Sequence, residues 1–297
     1  MSSRAALRAA LPAVVVLTLV WGSTWPLFPY AVHEVSVLTF RAVSVSTAGA
    51  VLLAVAAARG QSLRIPRQSW GAVVAASLIY LLVWNIAGTY AAILIPTGQA
   101  AVLGYTMPLW AALLSWLLLG QRIDRRMLAA LALGAVGIGL LIWRGADAYA
   151  GAPLGFSLGL LAGLGWALGT LILKEWPVPV GATVLTGWQL LVAALPMAIA
   201  ALWLGDRQWF VPSAQSIAVI AYITLVPMAI GNVVWFWIVD LLPVNVASLT
   251  SVMVPVLAMV SGALVHAEPL GAAQLVAIAC SAGGLALALS RPARPST

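Results

Sequence analysis

Long apolar runs of about 20 residues follow one another down this chain, with only short polar breaks between them. That is the length a helix needs to cross the hydrocarbon core. Inside lipid, every backbone amide must find its partner within the segment itself. The pattern therefore restricts the chain to a bundle of membrane-spanning helices. Ten spans are expected, over 9–29, 36–58, 70–92, 96–119, 127–143, 153–173, 181–204, 213–240, 244–265 and 269–290. The connections are too short to hold an inserted soluble domain. Composition agrees: 63% of residues are hydrophobic and 7% charged, against about 25% charged in a soluble domain. Arg4 and Arg8 before the first run resemble the start of a signal peptide. No small-x-small cleavage site precedes Trp21, so that run is expected to remain as a span.

Charge sets the orientation. The net charge is +7, but the basic residues sit in short loops, which speaks against nucleic acid and for a membrane. With both ends on one side, that side receives Arg4, Arg8, Arg59, Arg64, Arg67, Arg122, Arg125, Arg126, Lys174, Arg291 and Arg294. The other receives Arg144 and Arg207, and Arg41 stands inside the second span. The bias places both termini in the cytoplasm. The single cysteine, Cys280, lies in an apolar run and reads as a small packing residue.

The second half of the chain echoes the first. Pro96 and Pro108 return as Pro243 and Pro255, both 147 residues later. The same offset carries Asn85 onto Asn232, Ala100 onto Ala247, Ala111 onto Ala258 and Gln121 onto Glu268; Trp21 meets Trp166 at 145. Five spans per half is an odd number, so the second copy enters the bilayer from the opposite face. The expected architecture is an all-α integral membrane protein of about ten transmembrane helices, built as two inverted repeats, 1–146 and 147–297.

Several motifs resemble the drug/metabolite transporter superfamily, specifically its EamA-type ten-helix permeases. They are Trp21-Gly22-Ser23-Thr24, Phe40-Arg41, the Pro108 and Pro255 helices, and the turns Leu119-Gly120-Gln121 and His266-Ala267-Glu268. Gln121 departs from the acidic residue usual in that turn. The abundance of tryptophan is similar to that of a bacterial amino-acid exporter in this superfamily. The resemblance implies an inner-membrane permease that exports amino acids, aromatic ones included.

Candidate site residues follow from depth in the spans. Asn85 and Asn232 hold equivalent places well inside the third and eighth spans. They either line a central cavity or tie helices together, since a buried amide needs a partner. Tyr80 and Trp84 are four residues apart and share a helix face. Tyr105, Trp166, Trp188 and Trp235 are also mid-span, where an interfacial anchoring role does not explain them. Trp70, Trp143, Trp176, Trp203 and Trp209 lie near span ends and read as anchors. Pro26, Pro108, Pro227 and Pro255 fall inside spans, as hinges or static bends. Gly155, Gly159 and Gly163 form two overlapping GxxxG patterns, for internal packing, sliding or a dimer face. Arg41 either attracts a substrate carboxylate or, the favoured reading, reaches the interface or Glu34.

The seven acidic residues, Glu34, Asp124, Asp147, Glu175, Asp206, Asp240 and Glu268, all lie at or near span ends, as do His33 and His266. With no ionisable coupling group at depth, facilitated transport by alternating access is expected. An aromatic, uncharged chamber also suits a multidrug or metabolite efflux carrier coupled to protons, which is the alternative. An intramembrane enzyme lacks its nucleophile–base pair or metal cluster. No cofactor, metal or nucleic acid is implied. The partners are a small-molecule substrate and the lipid bilayer, with the chain a monomer or weak homodimer.

Overall fold

The computed structural model describes residues 3–121, 123–206, 211–242, 247, 250–266 and 271–289, and among these every regular element is helical. Expected features at Arg122, Arg207, Trp209, Pro243, Glu268, Arg291 and Arg294 lie outside the described residues. Among the described residues eight helices are long and apolar enough to cross a membrane, from Ala10–Ala31 through Ala214–Leu241. Two further apolar helical stretches, Val254–Val265 and Leu275–Gly284, fall where the ninth and tenth spans are expected and are shorter. Large apolar side chains such as Leu118, Leu154 and Leu202 point outward. In water they would make an unacceptable surface; in a bilayer they meet acyl chains.

The elements are α1 (Ser3–Gly22), α2 (Phe28–Ala31), α3 (Val37–Ala58), α4 (Trp70–Ala76), α5 (Val83–Leu94), α6 (Thr97–Gly104), α7 (Met107–Leu119) and α8 (Arg125–Arg144). A short connector, α9 (Ala146–Gly151), leads to α10 (Pro153–Glu175), α11 (Ala182–Leu204), α12 (Ala214–Ile223), α13 (Asn232–Leu241), α14 (Val254–His266) and α15 (Ala272–Leu289). Local chemistry sets several boundaries. The side chains of Ser36, Asp124 and Ser213 accept hydrogen bonds from backbone N–H groups three residues on, capping α3, α8 and α12. Gly120 adopts φ 60°, which ends α7. Pro153 opens α10, where a missing N–H costs nothing.

Several spans are broken, always near the middle of the bundle. The first stops at Gly22 and resumes as a tight turn, Trp25–Leu27, that carries Pro26. Pro26 therefore sits at an interruption and does not bend a continuous helix. The fourth stops at Gly104, passes through Tyr105 and Thr106, and restarts with Pro108 in the first turn of α7. A tight turn, Ser251–Met253, precedes Pro255 in α14.

The third and eighth spans are each widened by a π-helical stretch, Ser77–Leu82 between α4 and α5 and Thr224–Gly231 between α12 and α13. The two begin 147 residues apart. Each starts at a hydroxyl residue that donates to the carbonyl four residues back: Ser77 to Val73 at 2.6 Å, and Thr224 to Ile220 at 2.7 Å. Such back-bonding loosens a helix. In the second half Pro227 also removes a backbone N–H.

Contacts between the halves are paired. α3 packs along α11, and α8 along α15. α10 lies against α5 and α6, while α1 lies against α13 and α14. The glycines of α10 face inward. A Cβ on Gly159 would fall 2.7 Å from Leu103 Cβ, and one on Gly163 would fall 2.7 Å from the Gly104 carbonyl. The GxxxG run thus serves internal packing, among the uses expected of it.

The two ends of the bundle are held differently. At one, the Ser36 N–H at the start of α3 donates to Asp206 Oδ2 at 2.9 Å, and the Ser213 N–H at the start of α12 donates to Glu34 Oε2 at 2.7 Å. Each half supplies the acid that caps a helix of the other. At the opposite end Lys174 Nζ donates to the carbonyls of Val239 and Leu242 at 2.9 and 3.3 Å, closing the C-terminus of α13.

Candidate functional site

The breaks and widened turns of the first, third, fourth and eighth spans converge on one central cavity. It is lined from the first half by Trp21, Thr24, Trp25, Phe28, Arg41, Leu81, Trp84, Asn85 and Tyr105. From the second half come Trp166, Ile223, Pro227, Met228 and Asn232. No acidic residue is among them. The space left inside holds only a few water molecules, because the rings close on one another.

Trp166 is the hub. Its ring centroid lies 5.0 Å from Trp21, 4.2 Å from Tyr80, 4.4 Å from Trp84 and 5.5 Å from Trp235, all at steep angles. A second group joins Trp25 to Phe28, Trp84 and Tyr105 at 5.6, 5.9 and 6.1 Å. Edge-to-face pairs of this kind are worth about 0.5–1.5 kcal/mol beyond their burial. A ring can leave one partner for a substrate ring at little net cost.

Asn85 sits about one turn past the first widened stretch, and Asn232 directly follows the second. Asn85 Nδ2 donates to the Leu81 carbonyl, and Asn232 Nδ2 to the Met228 carbonyl, each at 2.7 Å. Asn232 Oδ1 accepts from the Tyr80 hydroxyl at 3.1 Å. Asn85 Oδ1 is buried and has no partner among the described residues. The Pro227 carbonyl accepts the indole N–H of Trp21 at 3.1 Å, and a side chain at Gly231 would overlap that indole.

Arg41 departs from the favoured reading. Its side chain turns into the cavity and is only 2% exposed. Glu34 is exposed and committed to the start of α12. The guanidinium lies 4.7 Å from the ring centres of both Phe28 and Phe40, and its Nε donates to Thr89 Oγ1 at 2.6 Å. Thr89 passes its own proton to the Asn85 carbonyl at 2.6 Å. A guanidinium has five N–H groups, and only the Nε–H finds an acceptor among the described residues. Two cation–π contacts at up to about 2 kcal/mol each do not replace acceptors for the remaining four.

Of the expected site residues, Trp84, Asn85, Tyr105, Trp166 and Asn232 line the cavity, and Tyr80 and Trp235 stand directly behind Trp166. Trp188 lies elsewhere: its indole N–H donates to the Leu63 carbonyl at 2.8 Å, and its ring meets Trp70 at 5.4 Å, toward the Lys174 end. Its spacing in α11 marked depth but not facing. Trp25, Phe28, Leu81, Ile223 and Met228 were not expected in the cavity. Trp21 and Thr24, which also line it, carried a signal in the Trp21-Gly22-Ser23-Thr24 motif, and Trp21 in its match to Trp166 at an offset of 145 as well.

Spanning helices, a lipid-facing apolar exterior and a ring-walled cavity where the two halves meet define a multi-pass membrane transporter. The chain belongs to the EamA-like transporter family, which it matches twice, over residues 8–143 and 153–290. It is 25% identical over 270 residues to the inner membrane transporter YedA of Escherichia coli strain K12, covering 90% of this chain and 86% of the relative. It is 25% identical over 199 residues to a protein of Salmonella typhimurium named "Probable amino-acid metabolite efflux pump", covering 64% and 66%. A solved crystal structure superposes with a TM-score of 0.74 over 95% of this chain and 96% of the other at 22% identity, which shows a shared fold.

Proposed function

We propose that the protein exports neutral and aromatic amino acids, with related small metabolites, across a bacterial inner membrane by facilitated alternating access. The reading takes ten spans as two inverted five-helix repeats, 1–146 and 147–297, with both termini cytoplasmic. Two family matches of similar length, the paired contacts between halves and the matching π-helical stretches support the repeat. The named inner membrane relative supports the location, and the named amino-acid metabolite pump supports the substrate class.

One observation carries the functional reading: an aromatic cavity free of acidic side chains, set between two equivalent asparagine-bearing helices. Its rings suit an apolar or aromatic side chain, and its few polar groups suit the substrate's backbone-like end. Export follows if Pro26, Pro108, Pro227 and Pro255, each at a break or widened turn, let the halves rock about the cavity. The latch at Glu34 and Asp206 then belongs to the outer side, and Lys174 with Trp188 to the cytoplasmic side.

The test is flux of a panel of amino acids and lipophilic dyes into proteoliposomes of purified protein. Amino-acid flux down its own gradient is expected, without an imposed ion gradient. Strict dependence on a pH or sodium gradient would sink the facilitated mechanism. Flux of dyes alone would favour the multidrug alternative.

A further inference from the structure

We infer that Arg41, oriented by Thr89 and backed by Asn85, is the site that binds a substrate carboxylate, so that the cavity selects anionic or zwitterionic solutes over cations. This rests on the carrier reading and names the charge class of its substrate.

The observations are geometric. Arg41 is buried at the level of the cavity, where an uncompensated cation is unfavourable and marks function. No acidic side chain lines the cavity to neutralise it. Its terminal nitrogens have no acceptor among the described residues, so the planar fork that binds carboxylates in a bidentate manner is free. The stem is fixed from three directions, by Phe28, Phe40 and Thr89. That restraint keeps the fork in place before a ligand arrives and lowers the entropy cost of binding.

Asn85 adds the complementary pole. Its Nδ2 donates to Leu81, and its Oδ1 accepts nothing among the described residues. Thr89, which receives the Arg41 Nε–H, donates to the Asn85 backbone carbonyl, so the two side chains are tied to one helix face. A donor fork and an unbonded amide acceptor on residues that line the same cavity fit a carboxylate next to an ammonium group. The same arrangement disfavours a lipophilic cation that carries no carboxylate, which would meet Arg41 at close range in a low-dielectric site.

The experiment titrates the detergent-purified full chain with matched ligands, following tryptophan fluorescence, since four cavity residues are tryptophans. The pairs are 3-phenylpropionate against 3-phenylpropionamide, and L-phenylalanine against L-phenylalaninamide, with phenethylamine as the pure cation. The acids are expected to bind about tenfold or more tighter than their amides, the range of a charge-assisted hydrogen bond. Arg41→Gln should abolish that preference, while Arg41→Lys should keep part of it. Thr89→Val should weaken the acids more than the amides. Equal affinity for acid and amide in the unmodified protein overturns the assignment without needing any variant, as does a preference that survives in Arg41→Gln. Proteoliposome flux separates the two readings. Equal transport of acid and amide removes the role of Arg41 and leaves the carrier intact, whereas absence of flux for every compound removes both.

Discussion

Asn85 and Asn232 donate the same hydrogen bond to the carbonyl four residues earlier, each at 2.7 Å, but only Asn232 has its oxygen taken, by Tyr80. Two asparagines 147 residues apart thus hold different chemistry. Replacing Asn232 by leucine strands the buried Tyr80 hydroxyl, a loss of about 1–3 kcal/mol. Asn85→Leu strands no partner side chain. Asn232→Leu is therefore expected to lower the unfolding midpoint in detergent more than Asn85→Leu, and Asn85→Leu to reduce flux more per folded molecule. The opposite ranking in both assays would refute this division of labour.

Trp84 and Tyr105 bound the cavity from neighbouring spans, with ring centres 5.7 Å apart. Trp84→Ala or Tyr105→Ala removes one aromatic contact to a bound ring, worth about 0.5–1.5 kcal/mol. Apparent affinity for an aromatic substrate should fall about three- to tenfold, with the protein still present in the membrane. Immunoblots of membranes alongside flux measure both. Unchanged affinity in both variants would remove the aromatic wall from the mechanism.

Gly169 on α10 faces Tyr80, and a Cβ there would overlap the tyrosine side chain. Gly139 on α8 has open space around it. Gly169→Ala should cost about 1–3 kcal/mol through overpacking, and Gly139→Ala should be neutral or stabilising by up to about 1 kcal/mol. Thermal unfolding of the two purified variants makes the comparison.

The crossed caps at Ser36 and Ser213 predict a pH dependence. The hydrogen bond from the Ser213 backbone, with help from its side chain, holds the Glu34 carboxyl below its usual range. Partial desolvation pushes Asp206 upward, but hydrogen bonds from Ser36 and Thr39 outweigh it and leave a net lowering. A depressed carboxylate stabilises the folded state above its unfolded pKa and loses that contribution as pH falls through the folded value. The latch is therefore intact at neutral pH and weakens below the ordinary carboxylate range. Glu34→Gln with Asp206→Asn should flatten the acid limb of thermal stability without moving the neutral plateau far, since exposed charges contribute little there. An acid limb identical to that of the unmodified protein would count against the latch.

How much of this was legible in the residues depends on distance along the chain. The 147-residue offset that pairs Asn85 with Asn232 also pairs the starts of the two widened turns, and both asparagines do line the cavity. Span positions were legible because hydrophobic length is a local property. Which way a side chain faces was not. Trp188 reads from span position as deep as Trp84, but its contacts with Trp70 and Leu63 hold it near the Lys174 end and away from the cavity. Arg41 reads as an interface-seeking cation until Phe28 and Thr89, brought by the fold, enclose it together with its chain neighbour Phe40. Pro26 marks the break in the first span, but nothing local says that Trp25 and Phe28 on either side of it turn inward.

A π-helical stretch holds a residue more than the α-helical turns it replaces. Each residue advances a helix by about 100°. Counting straight through Ser77–Leu82 at the ordinary pitch would send Asn85 about that far round the cylinder, and the same holds for Asn232 beyond Thr224. Deleting one residue from either stretch would leave span length and hydropathy almost untouched. It would let the wide turn close to an ordinary α-helical one with the amide still in register with the opposing half, so the deletion isolates the contribution of the widened turn itself.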